Sequence, residues 1–206
     1  MGQRGAKAVF MPDKFVFPGG RVDDADGDVR PIVPLDPAVR AQLLVDADDH
    51  MPEALAVAAI RELWEETGLI LGADGHRDHP EDGAARGDWA DFFRSGVVPA
   101  CNALSYFFRA VTPPGRPRRF DARFFIAEAA AVHGAASGAL DDFANASGEL
   151  QHLQWIALSK ARQLPMPFVT ELVLAEVQEI VATPTRPRPI PYMRHGATGI
   201  HVDAIR

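Results

Sequence analysis

Three carboxylates fall close together near the end of Glu53-Ala-Leu-Ala-Val-Ala-Ala-Ile-Arg61-Glu62-Leu63-Trp64-Glu65-Glu66-Thr67-Gly68. Glu62, Glu65 and Glu66 stand at i, i+3 and i+4, so on a helix they form one stripe. Like charges at that spacing repel by roughly a few tenths of a kcal/mol. They also lie at the helix C-terminal end, where the dipole disfavours negative charge. A cation would relieve both penalties, and clustered hard oxygen ligands suit Mg²⁺ or Mn²⁺. The plain alternative is a solvated acidic face balanced by Arg61.

The elements that must hold this stripe can be read on either side of it. Residues 52–67 are predicted as a helix, with Pro52 in its first turn, Gly68 as its stop, and Ala56, Ala59, Ile60, Leu63 and Thr67 on one face. Far upstream, Phe17-Pro18-Gly19-Gly20 breaks the chain after an irregular strand or two over 8–17. Between them, 21–52 is polar and rich in Asp and Pro. A short helix is expected there from Asp36-Pro37, with Val39, Leu43 and Leu44 as its apolar stripe.

Downstream, Leu69-Ile70-Leu71 starts a strand, 72–88 reads as loop and 89–94 as a helical turn. Strands are expected over 104–111 and 119–128, joined by Thr112-Pro113-Pro114-Gly115, and again over 153–158. Helices follow over 159–164 and 170–182, the second with Leu172, Val173, Val177 and Ile180 inward. Residues 1–183 are taken as one domain and 184–206 as a proline-broken, extended tail. Irregular alternation of strands and helices predicts an α/β (α+β) fold, a mixed sheet between helices.

Composition narrows the partners. The 206-residue chain is long enough for one substantial core, and its hydrophobic and charged fractions, 47% and 24%, are ordinary for a soluble domain. A net charge of −7 argues against a general nucleic-acid binder, and no apolar run reaches membrane-spanning length, so neither nucleic acid nor a membrane is an expected partner. Cys101 is the single cysteine, which excludes a disulfide framework and fits a cytoplasmic location. His76 and His79 are read as surface loop residues, Trp64 and Trp89 as packing residues, and no serine sits in a nucleophile elbow.

The pattern Glu, seven residues, Arg-Glu-Leu-x-Glu-Glu-x-Gly-Leu resembles the distal part of the signature of the Nudix hydrolase superfamily. In that signature a glycine lies six positions before the first glutamate, whereas Gly20 precedes Glu53 by 33, so an insertion at about 21–52 is expected. Loop closure entropy rises slowly with length, and the glycines and the glutamate helix can still meet. An insertion here resembles the peroxisomal-type coenzyme A diphosphatase branch. Thr112–Phe125 and Pro165–Thr170 also resemble stretches of that branch.

The resemblance implies a Nudix-type mixed sheet sandwiched between helices. It also implies a metal-dependent hydrolase cutting the pyrophosphate bond of a small nucleoside diphosphate derivative, such as coenzyme A or an acyl-CoA. The alternatives are an ADP-ribose or dinucleotide diphosphatase, or a nucleotide-binding homologue without catalysis. It assigns the metal, Mg²⁺ or Mn²⁺, to Glu62, Glu65, Glu66 and the Gly19 carbonyl, with Glu149, six residues before Trp155, as a further ligand. Glu62, or a neighbour such as Glu65, is the expected base, and Arg61 pairs with Glu53 or a stripe glutamate. Arg21, Arg118, Arg119 and Arg123 are the expected phosphate contacts. A homodimer is compatible with these features. Only 16 residues precede Phe17, where the resemblance calls for at least one full strand, so either a start further upstream or a sheet short of a strand is expected.

Overall fold

A computed structural model describes residues 1–8, 11–75, 88–184, 186–196 and 199–206. Its central element for function is α2, Met51–Thr67. Pro52 lies in the first turn, where a missing N–H leaves no bond unmade. Gly68 ends the helix with φ of 76°, a left-handed conformation suited to glycine, and its N–H donates to the Trp64 carbonyl at 2.7 Å. Ala54, Ala56, Val57, Ala58 and Ile60 are buried, a broader apolar face than the one expected from sequence. Those small side chains let neighbouring elements approach α2 closely.

A four-stranded sheet runs β6-β5-β8-β9, with β5 Ser105–Val111, β6 Asp121–Ile126, β8 Ile190–Gly196 and β9 Gly199–Ile205. β5 and β6 form the expected hairpin, with a register shift between Tyr106 and Phe108 and Arg109 opposite Arg123. On one face, Phe107, Phe108, Ala110 and Met193 pack with Leu172, Val173, Val177 and Ile180 of α5, Phe168–Ala182. The opposite side carries the larger core, where Leu43, Val57, Ile60, Trp89, Phe92, Tyr106 and Tyr192 meet. Helices α1, Pro37–Leu43, and α3, Asp88–Arg94, lie there with α2.

Two short sheets complete the frame: β2-β1-β7 (Phe15–Val16, Gly2–Arg4, Leu150–Gln151) and β3-β4 (Gly72–Asp74, Val97–Pro99). A four-residue helix, α4, spans Leu158–Ala161. Among the described residues, no helix is long and apolar enough to cross a membrane.

Several elements depart from expectation. The stretch 184–206 is not an extended tail: β8 and β9 form a hairpin, and β8 pairs in parallel with β5. Burial of Ile190, Tyr192, Met193 and Ile205 drives this, and pairing with β5 begins at Tyr192, just past Pro191. The strand expected over 153–158 is instead β7, because its partner β1 is only three residues long and His152, with φ of 51°, turns the chain away. The strand expected from Leu69 starts at Gly72; Leu71 makes only an isolated bridge to Val132. His76 and His79 lie outside the described residues.

Candidate active site

The Phe17–Gly20 element meets the last turns of α2. The Gly19 N–H donates to Glu66 Oε2 at 2.7 Å. Gly20 lies so close to Glu62 that a Cβ there would overlap the carboxylate. A side chain there would push the Glu62 carboxylate aside, so glycine lets the loop and that carboxylate sit this close. Gly19 meets the stripe through its N–H, whereas the expected contact is its carbonyl.

Arg61 organises the carboxylates from one side. It is almost fully buried, and all five of its N–H groups have an acceptor. Nη1 reaches Glu62 Oε1 and Glu65 Oε1, each at 3.0 Å. Nε and Nη2 grip Asp26 Oδ1 and Oδ2 at 2.8 and 3.0 Å, and Nη2 also donates to the Arg21 carbonyl at 2.8 Å. Burial works against the charge on Arg61. Its hydrogen bonds to Asp26 and Glu65, with the charges of Asp26 and Glu62, outweigh it and hold the guanidinium above its usual range.

Of the two pairings open for Arg61, the stripe glutamates are the observed one; Glu53 pairs with Arg40 at 2.6 Å. Sequence reasoning missed Asp26. It belongs to a short 3-10 turn, Asp24–Asp28, and only 1% of it is exposed. Besides Arg61, Asp26 accepts from Trp89 Nε1 at 2.9 Å and from the Asp23 N–H at 2.8 Å. The one signal available was its place six residues after Gly20, the position at which the signature puts its first carboxylate.

Burial raises Glu66 to about 7, with the charges of Glu62 and Glu149 adding to the effect and the Gly19 N–H and Arg4 opposing it. Burial also raises Glu62; Arg61 pulls the other way, while Glu149 and Asp23 reinforce the rise. These carboxylates therefore share one field, and a cation would stabilise their ionised forms. The donor set, all hard oxygen, fits Mg²⁺ or Mn²⁺. As the side chains stand, no three His, Cys, Asp or Glu groups among the described residues converge enough to close around an ion. Arg61 and the Gly19 N–H hold the oxygens instead.

Glu149 lies just before β7 and pairs with Arg4 of β1 at 3.1 Å, within electrostatic reach of Glu62 and Glu66. Beside this pair opens a cavity of about 480 Å³ lined by Arg4, Lys7, Glu149 and Gln151. The other arginines fall elsewhere. Arg21 is exposed and contributes its carbonyl to Arg61. Arg118 and Arg119 lie exposed in the β5–β6 connection, where Arg119 reaches the Thr112 carbonyl at 3.4 Å. Arg123 is largely buried against Asp121 at 3.0 Å, and burial lowers its pKa. Arg109, which sequence reasoning also missed, is 2% exposed. It grips both Asp121 oxygens and donates to the Val45 and Asp46 carbonyls, which ties the inserted segment to the sheet.

This glycine loop and glutamate helix stand on a fold shared with a solved protein, and by sequence and by structure the chain is similar to Nudix hydrolases. No family model matches the chain. An acyl-coenzyme A diphosphatase, NUDT19, of Gallus gallus is 32% identical over 178 residues, taking in 60% of this chain and 46% of the relative. A putative Nudix hydrolase 7 of Caenorhabditis elegans is 28% identical over 132 residues, covering 60% of this chain and 37% of its own. The chain thus spans less than half the length of the curated relatives it matches. The crystal structure of a Nudix hydrolase from Alicyclobacillus acidocaldarius superposes with a TM-score of 0.55 at 26% identity, covering 88% of this chain and 86% of that one.

Proposed function

We propose that the chain hydrolyses the pyrophosphate bond of a nucleoside diphosphate derivative, with coenzyme A or an acyl-CoA as its substrate class. The observation that carries this reading is the meeting of Gly19 and Gly20 with the Glu62–Glu66 stripe in a partly buried acidic site. The name of the Gallus gallus relative supports the coenzyme A assignment.

Glu62, Glu65 and Glu66 would hold Mg²⁺ or Mn²⁺, with the Gly19 carbonyl and Glu149 as further ligands. When bound, such ions neutralise charge building on the phosphoryl oxygens and make a coordinated water more acidic. Glu62 or Glu65 takes a proton from the attacking water, whose oxygen bonds to phosphorus as the P–O bond to the leaving phosphate breaks. Arg61 keeps those two carboxylates in place. Arg4, which also pairs with Glu149, and Lys7 line the cavity beside that carboxylate and suit the phosphates, whereas Arg123 is largely buried against Asp121.

Incubation of the purified protein with coenzyme A and Mg²⁺ is expected to release 3′,5′-ADP and 4′-phosphopantetheine. AMP from ADP-ribose with coenzyme A intact would transfer the assignment to an ADP-ribose diphosphatase. Binding of every diphosphate without cleavage of any would replace catalysis by nucleotide binding.

A further inference from the structure

The last strand, β9, lies at the edge of the four-stranded sheet and is exposed from Gly199 to Ala204. Gly196 and Gly199, where β8 gives way to β9, are paired so close along the chain that they must exchange both backbone bonds. Counting on from that pair, His201, Asp203 and Ile205 turn their N–H and C=O groups to β8, while Ile200, Val202 and Ala204 turn theirs outward. Among the described residues no strand pairs with that outer edge. No proline, lysine or bulge interrupts it, the devices that commonly keep an open edge single. Ile200 and Val202 are 53% and 64% exposed. Val202 lies opposite Met193, so these two side chains extend the apolar face that packs on α5 but stay outside the cover of that helix.

We infer that β9 pairs antiparallel with β9 of a second copy of this chain, about a two-fold axis at Val202, so that one sheet runs through a homodimer. The charge pattern selects both the occupant and the register. With Val202 opposite its own copy, Ile200 falls opposite Ala204, and the outward N–H and C=O groups of all three meet their complements. On the other face His201 then stands opposite the Asp203 of the second copy, and the axis repeats the pair. A ring N–H of His201 can donate to that carboxylate whether the imidazole is charged or neutral. Asp203 also accepts from Arg194 Nε on β8, which holds it in place for the contact. Moving the axis to His201 or to Asp203 sets each against its own copy, and neither pairing attracts. The arrangement uses up the open edge of both copies, so assembly stops at two. Seven residues a side fall well short of the about 20–30 of a standard interface, so the dimer is weak, with Kd on the order of 1–100 µM. It does not depend on the chemistry at the glutamate stripe.

Sedimentation velocity of the full chain from about 1 to about 300 µM is expected to show monomer giving way to dimer. Amide exchange followed by NMR at both ends of that range reports which surface closes. The N–H groups of Ile200, Val202 and Ala204 should exchange about fivefold or more slowly at the high concentration, whereas those of His201 and Asp203, bonded to β8, are protected at both. Val202→Lys, at a site already open to solvent, sets two ammonium groups together on the axis and should raise Kd about tenfold or more. His201→Asp keeps the hairpin supported, because Arg194 lies opposite on β8, but turns both cross-axis pairs into carboxylate against carboxylate and should weaken the dimer as much. Should Val202→Lys not fold, His201→Asp and the wild-type exchange rates still decide. Monomer at every concentration overturns the proposal. So does a dimer that either folded variant leaves at wild-type strength, one whose Ile200, Val202 and Ala204 amides exchange as fast as in the monomer, or association that runs on past two copies.

Discussion

Glu66 offers the sharpest test of the site's electrostatics, through Glu66→Gln in metal-free protein. Burial lifts its carboxyl from an ordinary value of 4.5 to about 7. The unfolded chain therefore loses this proton at lower pH than the folded one. The folded state has its full relative advantage below about 4.5, loses it as pH rises to about 7, and changes no further above that. At about 1.4 kcal/mol per pH unit, the difference amounts to about 3 kcal/mol at pH 8. Glutamine has no proton to lose and still offers an oxygen to the Gly19 N–H. Glu66→Gln is thus expected to stabilise the apo protein at pH 8 by up to about 3 kcal/mol, or about 6–12 °C in Tm for a chain of this size. Calorimetry at pH 5 and pH 8 should show wild type losing more stability than the variant over that interval. Mg²⁺ should raise the wild-type Tm at pH 8 and the variant's far less, since binding to the folded state alone stabilises it. Equal pH slopes, or equal gains from Mg²⁺, would refute the reasoning.

Other perturbations probe separate joints of the structure. Glu65→Gln should lower kcat by about 10²–10⁴ with little change in Tm, as measured by product release. Gly20→Ala drives a Cβ into the Glu62 carboxylate, so turnover should fall by about 10² while circular dichroism stays native. Arg109→Ala takes the guanidinium from the Val45 and Asp46 carbonyls, while Asp121 keeps Arg123, and chemical denaturation should show a loss of about 1–3 kcal/mol. Removing 184–206 strips Ile190, Tyr192, Met193 and Ile205 from the cores and should leave the protein aggregated in gel filtration, where a free tail would leave it monodisperse.

The parts legible in the sequence are those whose signals are local. Pro52 and Gly68 bracket α2, Asp36 caps α1 by accepting from the Ala38 N–H at 2.8 Å, and the β5–β6 hairpin and α5 follow their apolar periods. The parts that were not legible depend on partners far along the chain. Asp26 is one of four aspartates between 23 and 28, and apart from its spacing from Gly20 nothing distinguishes the one that is buried. Arg109 is a charge within an apolar strand whose partners lie far along the chain, and it is almost wholly enclosed by Asp121, the Val45 and Asp46 carbonyls and the Tyr192 ring. The proline-dense approach to β8 hides a strand whose pairing with β5 starts only after the last proline. Within the candidate site, the glutamate stripe was visible from spacing and the glycines from the signature they resemble; the contact of Asp26 in the insertion with Arg61 was not.

The central claim is that the Glu62–Glu66 stripe holds divalent ions against a diphosphate. Anomalous diffraction from a crystal soaked with Mn²⁺ and a methylene-bridged, uncleavable diphosphate measures this directly. The account predicts manganese peaks within direct coordination distance, about 2 Å, of oxygens of Glu62, Glu65 and Glu66 and beside the diphosphate. A bound diphosphate with no manganese at those oxygens, and with Glu62 and Glu65 still on Arg61, would contradict it.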